Sequence, residues 1–287
     1  MSRTNRTEIK SRLPRVMTTQ PAYRLVGHGL SDVGCRREVN EDSYLILPKN
    51  NLWIVADGMG GHAGGQVAST MTVETIGRRL LKSLVEAEVR HRDGHSALNM
   101  GRLLTQTIKA TCAAVYDRAV VNPGLRGMGS TVTMMLAHGD MAWFGHVGDS
   151  RAYLIRDGRI HQLTEDHSLV QEQVAAGLIT PEQAKHSMIR NIITRSIGFE
   201  RDVRVDVAAM PLKRGDQFLL CSDGLTGHVE DDEILEIVMS TPRKNVASTL
   251  VELANSRGGE DNSTVILTTV VSKTRRNRGS RRRNRSS

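Results

Sequence analysis

The sequence predicts an α+β domain in which two antiparallel sheets pack face to face, a central β-sandwich with a pair of helices on each outer face. Three observations predict this α-β-β-α arrangement. Strand-like segments and helical segments are grouped in blocks, whereas a parallel βαβ fold would alternate them. Turn signals at Gly139-Asp140 and Asp157-Gly158 divide a run of short strands into an antiparallel meander. A polar, helical insertion over about 168–198, named the flap, interrupts the strands.

The first half of the domain contains three predicted strands and two predicted helices. Apolar residues recur at helical spacing in both long segments, and short β-branched and aliphatic runs precede them. The strands are expected at 23–29, 43–47 and 52–56, and the helices from 66 to about 88 and from about 97 to 121. The polar segment H-R-D-G-H at 91–95 is expected to connect the two helices.

The second half begins after Gly129, where the sequence changes from helical to strand-like patterns. Three strands are predicted over T-V-T-M-M-L-A, M-A-W-F-G-H-V and R-A-Y-L-I, before the flap. After the flap we expect strands at 203–210 and 217–222, helices at about 231–239 and 245–256, and a last strand at 264–271. The chain of 287 residues is long enough to bury a sizeable core in this way.

Charge divides the chain into a folded body and two basic arms. Residues 273–287 hold one Lys and seven Arg without an acidic residue, and residues 1–24 hold five Arg, one Lys and one Glu. Since the whole chain carries a net charge of +8, the body over 25–272 has a net charge of −5. We therefore expect a disordered basic arm at 1–22 and an Arg-rich disordered tail at 273–287. An acidic body argues against a nucleic-acid-binding fold.

The cysteines and the apolar runs exclude several classes of protein. Cys35, Cys112 and Cys221 are odd in number, widely spaced and without a C-x-x-C pair, so neither a disulfide framework nor a thiolate zinc site is expected. No signal peptide is evident, and no apolar run is long enough to cross a bilayer. A cytoplasmic, monomeric protein is expected.

Four short acidic motifs carry the functional information. They are N-E-D at 40–42, D-G-M-G-G-H at 57–62, S-D-G-L at 222–225 and G-G-E-D-N at 258–262. Each places a carboxylate beside a glycine or small polar residue, where the backbone can turn sharply. One Asp-Gly pair alone would be an ordinary turn. Four such motifs, two of them directly after apolar strand-like runs, indicate carboxylates that converge on hard divalent cations such as Mg²⁺ or Mn²⁺.

Within these motifs, Asp57, Asp223 and Asp261 are the strongest candidate ligands. Each would be a turn or capping residue if it stood alone. Together they can hold two cations about 4 Å apart, which needs several carboxylates in one place. Glu41 and Asp42 are adjacent, so extended backbone would direct them to opposite sides, and we favour Glu41 as the ligand and Asp42 as a supporting residue.

The motifs as a set resemble the metal-dependent protein phosphatases, the 2C-type Ser/Thr phosphatases. The resemblance begins at D-V-G-C-R-R-E-V-N-E-D (32–42) and continues in the family's order through D-G-M-G-G-H-A-G-G, G-S-T, V-G-D-S-R, L-T-E-D-H-S, C-S-D-G-L and G-G-E-D-N-S-T. It covers about residues 22–271 and is most similar to the compact bacterial branch. The resemblance implies a phosphatase catalytic domain over 23–272.

The resemblance also implies metal-binding roles at matching positions. Asp57 would bridge two Mn²⁺ or Mg²⁺ ions, with Asp223 and Asp261 on one ion and Glu41 with the Gly58 carbonyl on the other. In the bacterial members a third, weaker ion is bound, and Asp149 would be its ligand. Alone, Asp149 would be a hairpin turn residue.

Further residues would act on the substrate. Arg37 would grip the phosphate, because a guanidinium makes paired hydrogen bonds to phosphate oxygens, and Arg36 is the competing candidate. His62 would protonate the leaving group, as a histidine near neutral pKa can. Asn262 would support the attacking water. His167 is interpreted as structural or as part of the flap interface, and His146, like His161 and His186, as ordinary.

The predicted function is hydrolysis of phosphoserine and phosphothreonine in proteins by attack of a metal-bridging hydroxide. A cognate Ser/Thr kinase and its substrates are the expected partners. Two alternatives stay open: a catalytically weak regulatory phosphatase-like protein, and a protein that binds nucleic acid or an acidic partner through the Arg-rich tail. Retention of the four ligand positions speaks against the first, and the acidic body against the second.

Overall fold

The computed structural model describes residues 23–60, 64–92 and 98–272. Strands and helices alternate in blocks along this part of the chain. The strands are β1 (Tyr23–Asp32), β2 (Ser43–Leu47), β3 (Leu52–Ala56), β4 (Gly58–Met59), β5 (Gly129–Ser130), β6 (Val132–His138), β7 (Met141–Val147), β8 (Arg151–Arg156), β9 (Arg159–Gln162), β10 (Asp206–Pro211), β11 (Gln217–Cys221) and β12 (Ser263–Ser272). The helices are α1 (Gly64–Arg92), α2 (Met100–Val121), α3 (Leu169–Ala175), α4 (Pro181–Lys185), α5 (Asp223–Thr226), α6 (Asp231–Ser240) and α7 (Val246–Ser256).

Two five-stranded antiparallel sheets form the centre of the domain. One sheet has the strand order β1-β12-β11-β8-β9, and the other has the order β10-β7-β6-β3-β2. The short strands β4 and β5 pair with each other beside the second sheet. The predicted meander is only partly right: β6 and β7 pair as expected, but β8 lies in the other sheet, where it pairs with β9 and β11.

Side chains of β3 place the second sheet between two apolar layers. Alternate residues of a strand point to opposite faces of the sheet. Leu52 and Ile54 pack in a cluster with α1 and α2, whereas Trp53 and Val55 pack against the first sheet. The buried partners in the layer between the sheets include Phe144, Leu154, Phe218, Leu220 and Ile266.

The opposite face of the first sheet is covered by α6 and α7. Leu219, Cys221 and Leu267 contribute to this third cluster, together with apolar residues of the two helices. The layers are therefore helix pair, sheet, sheet and helix pair, which confirms the predicted fold class. Cys112 and Cys221 are buried as expected, while Cys35 is exposed, and all three thiols are free.

The structure differs from the predicted boundaries at several places: β1 extends to Asp32, α1 begins at Gly64 and α2 begins at Met100. Helix α1 continues to Arg92, so the first two residues of the predicted connector at 91–95 are helical. No Gly or Pro stands between the predicted end of the helix at about 88 and Arg92, so the sequence gives the helix no reason to end earlier. Strand β10 begins at Asp206, three residues later than predicted, and Val203 instead belongs to the buried cluster that contains residues of α1 and α2.

The predicted flap over 168–198 contains the two short helices α3 and α4. Ser168 and Thr180 cap their first turns through side-chain hydrogen bonds, which is how a short polar helix begins. Backbone pairing of Ser168 with Ile193 holds the two ends of the flap together. In the described ranges, no helix combines the length and the hydropathy needed to cross a membrane. The predicted arm at 1–22 and tail at 273–287 lie outside the described residues.

Candidate metal centre

The predicted carboxylates meet in one cleft at an end of the sandwich. The cleft has a volume of about 630 Å³. Its lining includes the predicted site residues Arg37, Glu41, Asp57, Gly58, Asp149, Asp223 and Asp261. These residues come from five separate parts of the chain, so the fold and not the local sequence brings them together.

Asp57 lies directly after β3, and hydrogen bonds of its backbone fix its position. Its N–H donates to Thr131 Oγ1 (2.9 Å), and its carbonyl accepts from the Thr131 N–H (2.8 Å). The Thr131 hydroxyl is in turn 2.7 Å from Ser150 Oγ, beside Asp149. Gly58 follows, and a Cβ at that position would overlap the backbone carbonyls of Glu41 and Gly65. Only glycine allows this close approach, which brings the α1 start against the Glu41 segment.

Asp223 begins α5 immediately after β11, as the apolar run before it predicts. The next residue, Gly224, packs so closely on the Asn262 carbonyl that a Cβ would overlap it. This contact joins the S-D-G-L and G-G-E-D-N motifs. Asp261 lies on the other side of the cleft, where its Oδ2 accepts from Arg37 Nη2 at 2.7 Å.

Asp42 is buried behind the cleft and is held by two hydroxyl groups. Its Oδ2 accepts from Ser222 Oγ (2.7 Å) and from Thr264 Oγ1 (2.6 Å). Glu41, the adjacent residue, lines the cleft. The two carboxylates therefore point to different sides.

Asn262 has different partners from those predicted. Both of its side-chain N–H groups donate to backbone carbonyls, of Val33 (2.9 Å) and Val39 (3.1 Å). Its Oδ1 accepts from the Glu41 N–H at 2.7 Å. The amide thus fastens the loop that carries Glu41, and its N–H donors are not available to a water in the cleft.

Burial and mutual repulsion raise the pKa of several carboxyl groups in this cluster. For Asp57 the largest cause is burial, followed by the charges of Asp42, Asp223 and Asp149. Burial likewise raises the pKa of Glu41, Asp149 and Asp223. A cluster of this kind favours bound protons or bound cations.

Several buried oxygens in the cluster have no hydrogen-bond partner. They are Glu41 Oε1, Asp42 Oδ1, Asp149 Oδ1 and Asp223 Oδ1. A buried carboxylate oxygen without a partner is costly. Within 23–60, 64–92 and 98–272, no three acidic, His or Cys side chains are already at the mutual distances of an ion's ligands. The donor set is nevertheless all oxygen, as Mg²⁺ and Mn²⁺ prefer.

The remaining predicted residues differ in their placement. Arg37 lines the cleft, whereas Arg36 is exposed and does not belong to the described lining. His62 lies outside the described residues. Sequence reasoning missed Arg195 and Arg204, whose positively charged side chains line the cleft. Their only signal was a position at or just beyond the end of the flap.

Comparison with known proteins identifies the family. The family model described as protein phosphatase 2C matches residues 36–263. Protein phosphatase PhpP of Streptococcus pneumoniae is 38% identical over 247 residues, which cover 84% of this chain and 96% of that protein. The serine/threonine protein phosphatase PstP of Mycobacterium tuberculosis is 38% identical over 241 residues, which cover 84% of this chain and 44% of PstP.

Solved structures agree with the sequence matches. The crystal structure of the Mycobacterium tuberculosis serine/threonine phosphatase PstP superimposes with a TM-score of 0.76 at 36% identity, covering 86% of this chain and 99% of that one. A second structure, the PstP catalytic domain in complex with two manganese ions, has a TM-score of 0.74 at 35% identity and covers 86% of this chain and 98% of that one. The chain belongs to the protein phosphatase 2C family and is a metal-dependent serine/threonine protein phosphatase.

Proposed function

We propose that the acidic cleft is the active site of this phosphatase and that Asp57 would be a ligand of two divalent cations. Asp223 and Asp261 would complete one cation site, and Glu41 with the Gly58 carbonyl the other. The observation that carries this proposal is the convergence of carboxylates from distant segments, several with buried oxygens that lack a partner. Two bound cations would supply Lewis-acid stabilisation of the phosphoryl group and lower the pKa of an attacking water.

The chain's own residues orient the substrate. Arg37 carries a half-exposed guanidinium at the cleft wall, where it can donate paired hydrogen bonds to phosphate oxygens. In this structure it donates to Asp261, so a phosphate would compete with that carboxylate for the same donors. Asp42 and Asn262 would act indirectly, by holding the loop and the backbone that carry Glu41. His62 remains the proposed proton donor to the leaving alkoxide.

Asp149 is the proposed ligand of a third, weaker cation. Its Oδ1 is buried without a partner, and the charge of Asp223 contributes to its raised pKa, after burial. The nearness of Asp223 supports a site that the two carboxylates share.

Cation binding by the chelator-stripped full chain tests the proposed site. We expect Mn²⁺ to bind in calorimetry and to switch on hydrolysis of phosphothreonine and phosphoserine peptides, with phosphotyrosine peptides cleaved more slowly. Asp57→Ala should abolish both binding at the shared site and activity. Glu86→Ala removes an exposed carboxylate that pairs with Lys82 on α1, outside the lining of the cleft, and should change neither. Full activity of Asp57→Ala would refute the assignment.

A matched pair of arginine variants tests the phosphate contact. Arg37→Ala should raise KM for a phosphopeptide about tenfold to a hundredfold, from the loss of a charge-assisted hydrogen-bond pair. Arg36→Ala changes the neighbouring exposed arginine and should leave KM within about twofold, because Arg36 does not line the cleft. The reverse ranking would assign the phosphate contact to Arg36.

A cytoplasmic location, a monomeric state and a cognate Ser/Thr kinase stay predictions. The Arg-rich tail, residues 273–287, is proposed to bind an acidic partner or nucleic acid independently of catalysis. Deleting it should leave peptide hydrolysis unchanged and abolish salt-sensitive retention on immobilised DNA or acidic polypeptide. Lost hydrolysis would contradict a separate role.

A further inference from the structure

A buried histidine joins three separate segments of the chain beside the acidic cluster. His167, which is 4% exposed, stands just before the flap. Its Nδ1 accepts from the Gly148 N–H at 3.0 Å, and its own backbone N–H donates to the Gly148 carbonyl at 2.8 Å. Its other ring nitrogen, Nε2, lies 3.0 Å from Asp206 Oδ2 on β10. With Arg195 at the end of the flap, these residues form what we call the His167 cluster.

The hydrogen bonds determine the protonation of the ring. Since Nδ1 accepts a hydrogen bond from a backbone amide, the neutral ring carries its proton on Nε2 and donates a hydrogen bond to Asp206. Burial lowers the pKa of His167, which favours this neutral form. Arg195 Nη1 lies 3.0 Å from His167 Nε2 and 3.4 Å from Asp206 Oδ1, so the flap arginine contacts both the ring and the carboxylate that accepts from it.

A second histidine packs on the first and restricts its rotation. The rings of His146 and His167 have centroids 4.7 Å apart. His146 lies on β7 and is 2% exposed, and its Nε2 is 3.0 Å from the Glu165 carbonyl. Burial, and then the neighbouring His167, lowers the pKa of His146 to about 4, so this ring is also neutral near pH 7.

The His167 cluster connects two walls of the cleft. Gly148 has a φ of 111° and directly precedes Asp149. On the other side, the Thr194 N–H donates to the His167 carbonyl at 2.8 Å, and both Thr194 and Arg195 line the cleft. The turn that carries Asp149 and the returning end of the flap are thus held by the same residue.

We propose that His167 is a positioning residue that couples the Asp149 turn to the flap, through Gly148 on one side of its ring and through Asp206 and Arg195 on the other. The inference rests on the proposed function in that these two walls border the active site. It follows that the imidazole fixes the positions of the turn and the flap relative to each other. Nδ1 holds the turn that carries Asp149, and Nε2 holds the side that faces Asp206 and Arg195.

Two variants separate the two hydrogen bonds. In His167→Asn the amide oxygen can still accept from Gly148, but the side chain is too short to reach Asp206. In His167→Gln the longer amide can still donate to Asp206, but it offers no acceptor at the position of Nδ1. His161→Asn, which changes an exposed histidine on β9, is the control.

Amide exchange followed by NMR on the chelator-stripped full chain gives a readout that does not depend on catalysis. We expect the Gly148 amide to exchange about tenfold faster in His167→Gln and near the wild-type rate in His167→Asn, as the loss of one hydrogen bond implies. In the Mn²⁺-loaded enzyme, His167→Gln should raise the Mn²⁺ concentration for half-maximal activity. His167→Asn should instead raise KM for a phosphopeptide with little change in kcat.

The outcomes separate this inference from the proposed metal site. Wild-type exchange at Gly148 in both variants would overturn the coupling. Equal losses in both variants, with faster exchange throughout the domain, would also overturn it and leave a histidine that only supports the fold. The expected exchange pattern without Mn²⁺ uptake by the wild-type protein would support the coupling and refute the metal site.

Discussion

The buried carboxyl group of Asp42 should make the metal-free protein less stable as the pH rises. Its side chain is 3% exposed, Oδ2 accepts from two hydroxyl groups, and Oδ1 has no hydrogen-bond partner. Burial is the largest effect on its pKa. It outweighs the hydrogen bonds from Thr264 and Ser222 and, with smaller contributions from the charges of Asp223 and Asp261, raises the pKa of Asp42 to about 8.

Proton uptake on folding determines the sign of this effect. Between about pH 5 and pH 7.5 the unfolded chain has lost the Asp42 proton, since the ordinary pKa is 3.8, while the folded protein keeps it. Folding then binds one proton, and the free energy of unfolding falls by about 1.4 kcal/mol per pH unit. The stabilising contribution is complete below 3.8 and is lost as the pH rises through about 8.

Asp42→Asn isolates this proton. The Asn carbonyl can accept from the Ser222 and Thr264 hydroxyls as the carboxylate does, but the side chain no longer titrates. Urea unfolding in EDTA at about pH 5.5, 6.5 and 7.5 measures this effect. Over this range the free energy of unfolding of the wild type should fall by about 3 kcal/mol more than that of the variant. Asp117→Asn, at an exposed carboxylate, should keep the wild-type slope.

Parallel pH dependence of the wild type and Asp42→Asn would refute the reasoning, because it would mean that Asp42 does not take up a proton on folding. Excess Mn²⁺ provides a second check. Ligand carboxylates must lose their protons to bind a cation, so the stabilisation that Mn²⁺ gives the wild type should increase as the pH rises.

Three further predictions concern the cleft and its support. Asp57→Asn should abolish Mn²⁺-dependent activity. In the absence of metal it should raise the free energy of unfolding by about 1 kcal/mol or more near pH 7.5, because it removes one of several repelling carboxyl groups. A variant that is less stable than the wild type in EDTA would contradict this. Gly65→Ala should raise the Mn²⁺ concentration for half-maximal activity, since a Cβ there would overlap the Glu41 carboxylate, and titration of activity with Mn²⁺ measures it. Arg156→Ala should lower the free energy of unfolding by about 3–5 kcal/mol, because it leaves the Asp216 carboxylate, 1% exposed, without its ion-pair partner. If urea unfolding gives free energies for variant and wild type that differ by less than about 1 kcal/mol, the pair contributes little.

The strand that leads to Asp57 could be predicted because its sequence is apolar throughout. A strand covered on both faces has a continuous apolar run rather than an alternating one. All five residues of β3 are buried, since helices cover one face and the other sheet covers the second. The carboxylate that follows such a run must lie at the edge of the sheet, and this places Asp57 in the cleft.

The hydroxyl partners of Asp42 could not be predicted from local sequence. Ser222 and Thr264 are 180 and 222 positions away along the chain. Strand pairing brings them together, because β11 and β12 are neighbours in the first sheet. No pattern of apolar and polar residues within one segment contains this information, and a short polar residue beside Asp-Gly is also typical of an ordinary turn.

The histidines illustrate the same limit. His146 was interpreted as an ordinary residue because no other histidine stands at ligand spacing, and His167 as structural or as part of the flap interface. Their rings pack together only because β7 and the segment before the flap run side by side, so that Gly148 and His167 exchange backbone and side-chain hydrogen bonds. The pairing of these segments is a property of the fold.

Arg37 connects the stability of the acidic cleft to its proposed activity. In this structure its guanidinium donates to Asp261 at 2.7 Å and so offsets part of the repulsion among the carboxylates. When Asp261 binds a cation, as proposed, the cation itself reduces the repulsion among the carboxylates. The N–H groups of the guanidinium are then free to donate to another anion. A phosphate monoester in the cleft is such an anion. Cation binding and phosphate binding should therefore be cooperative, and Arg37→Ala should reduce the increase in phosphate affinity that Mn²⁺ produces.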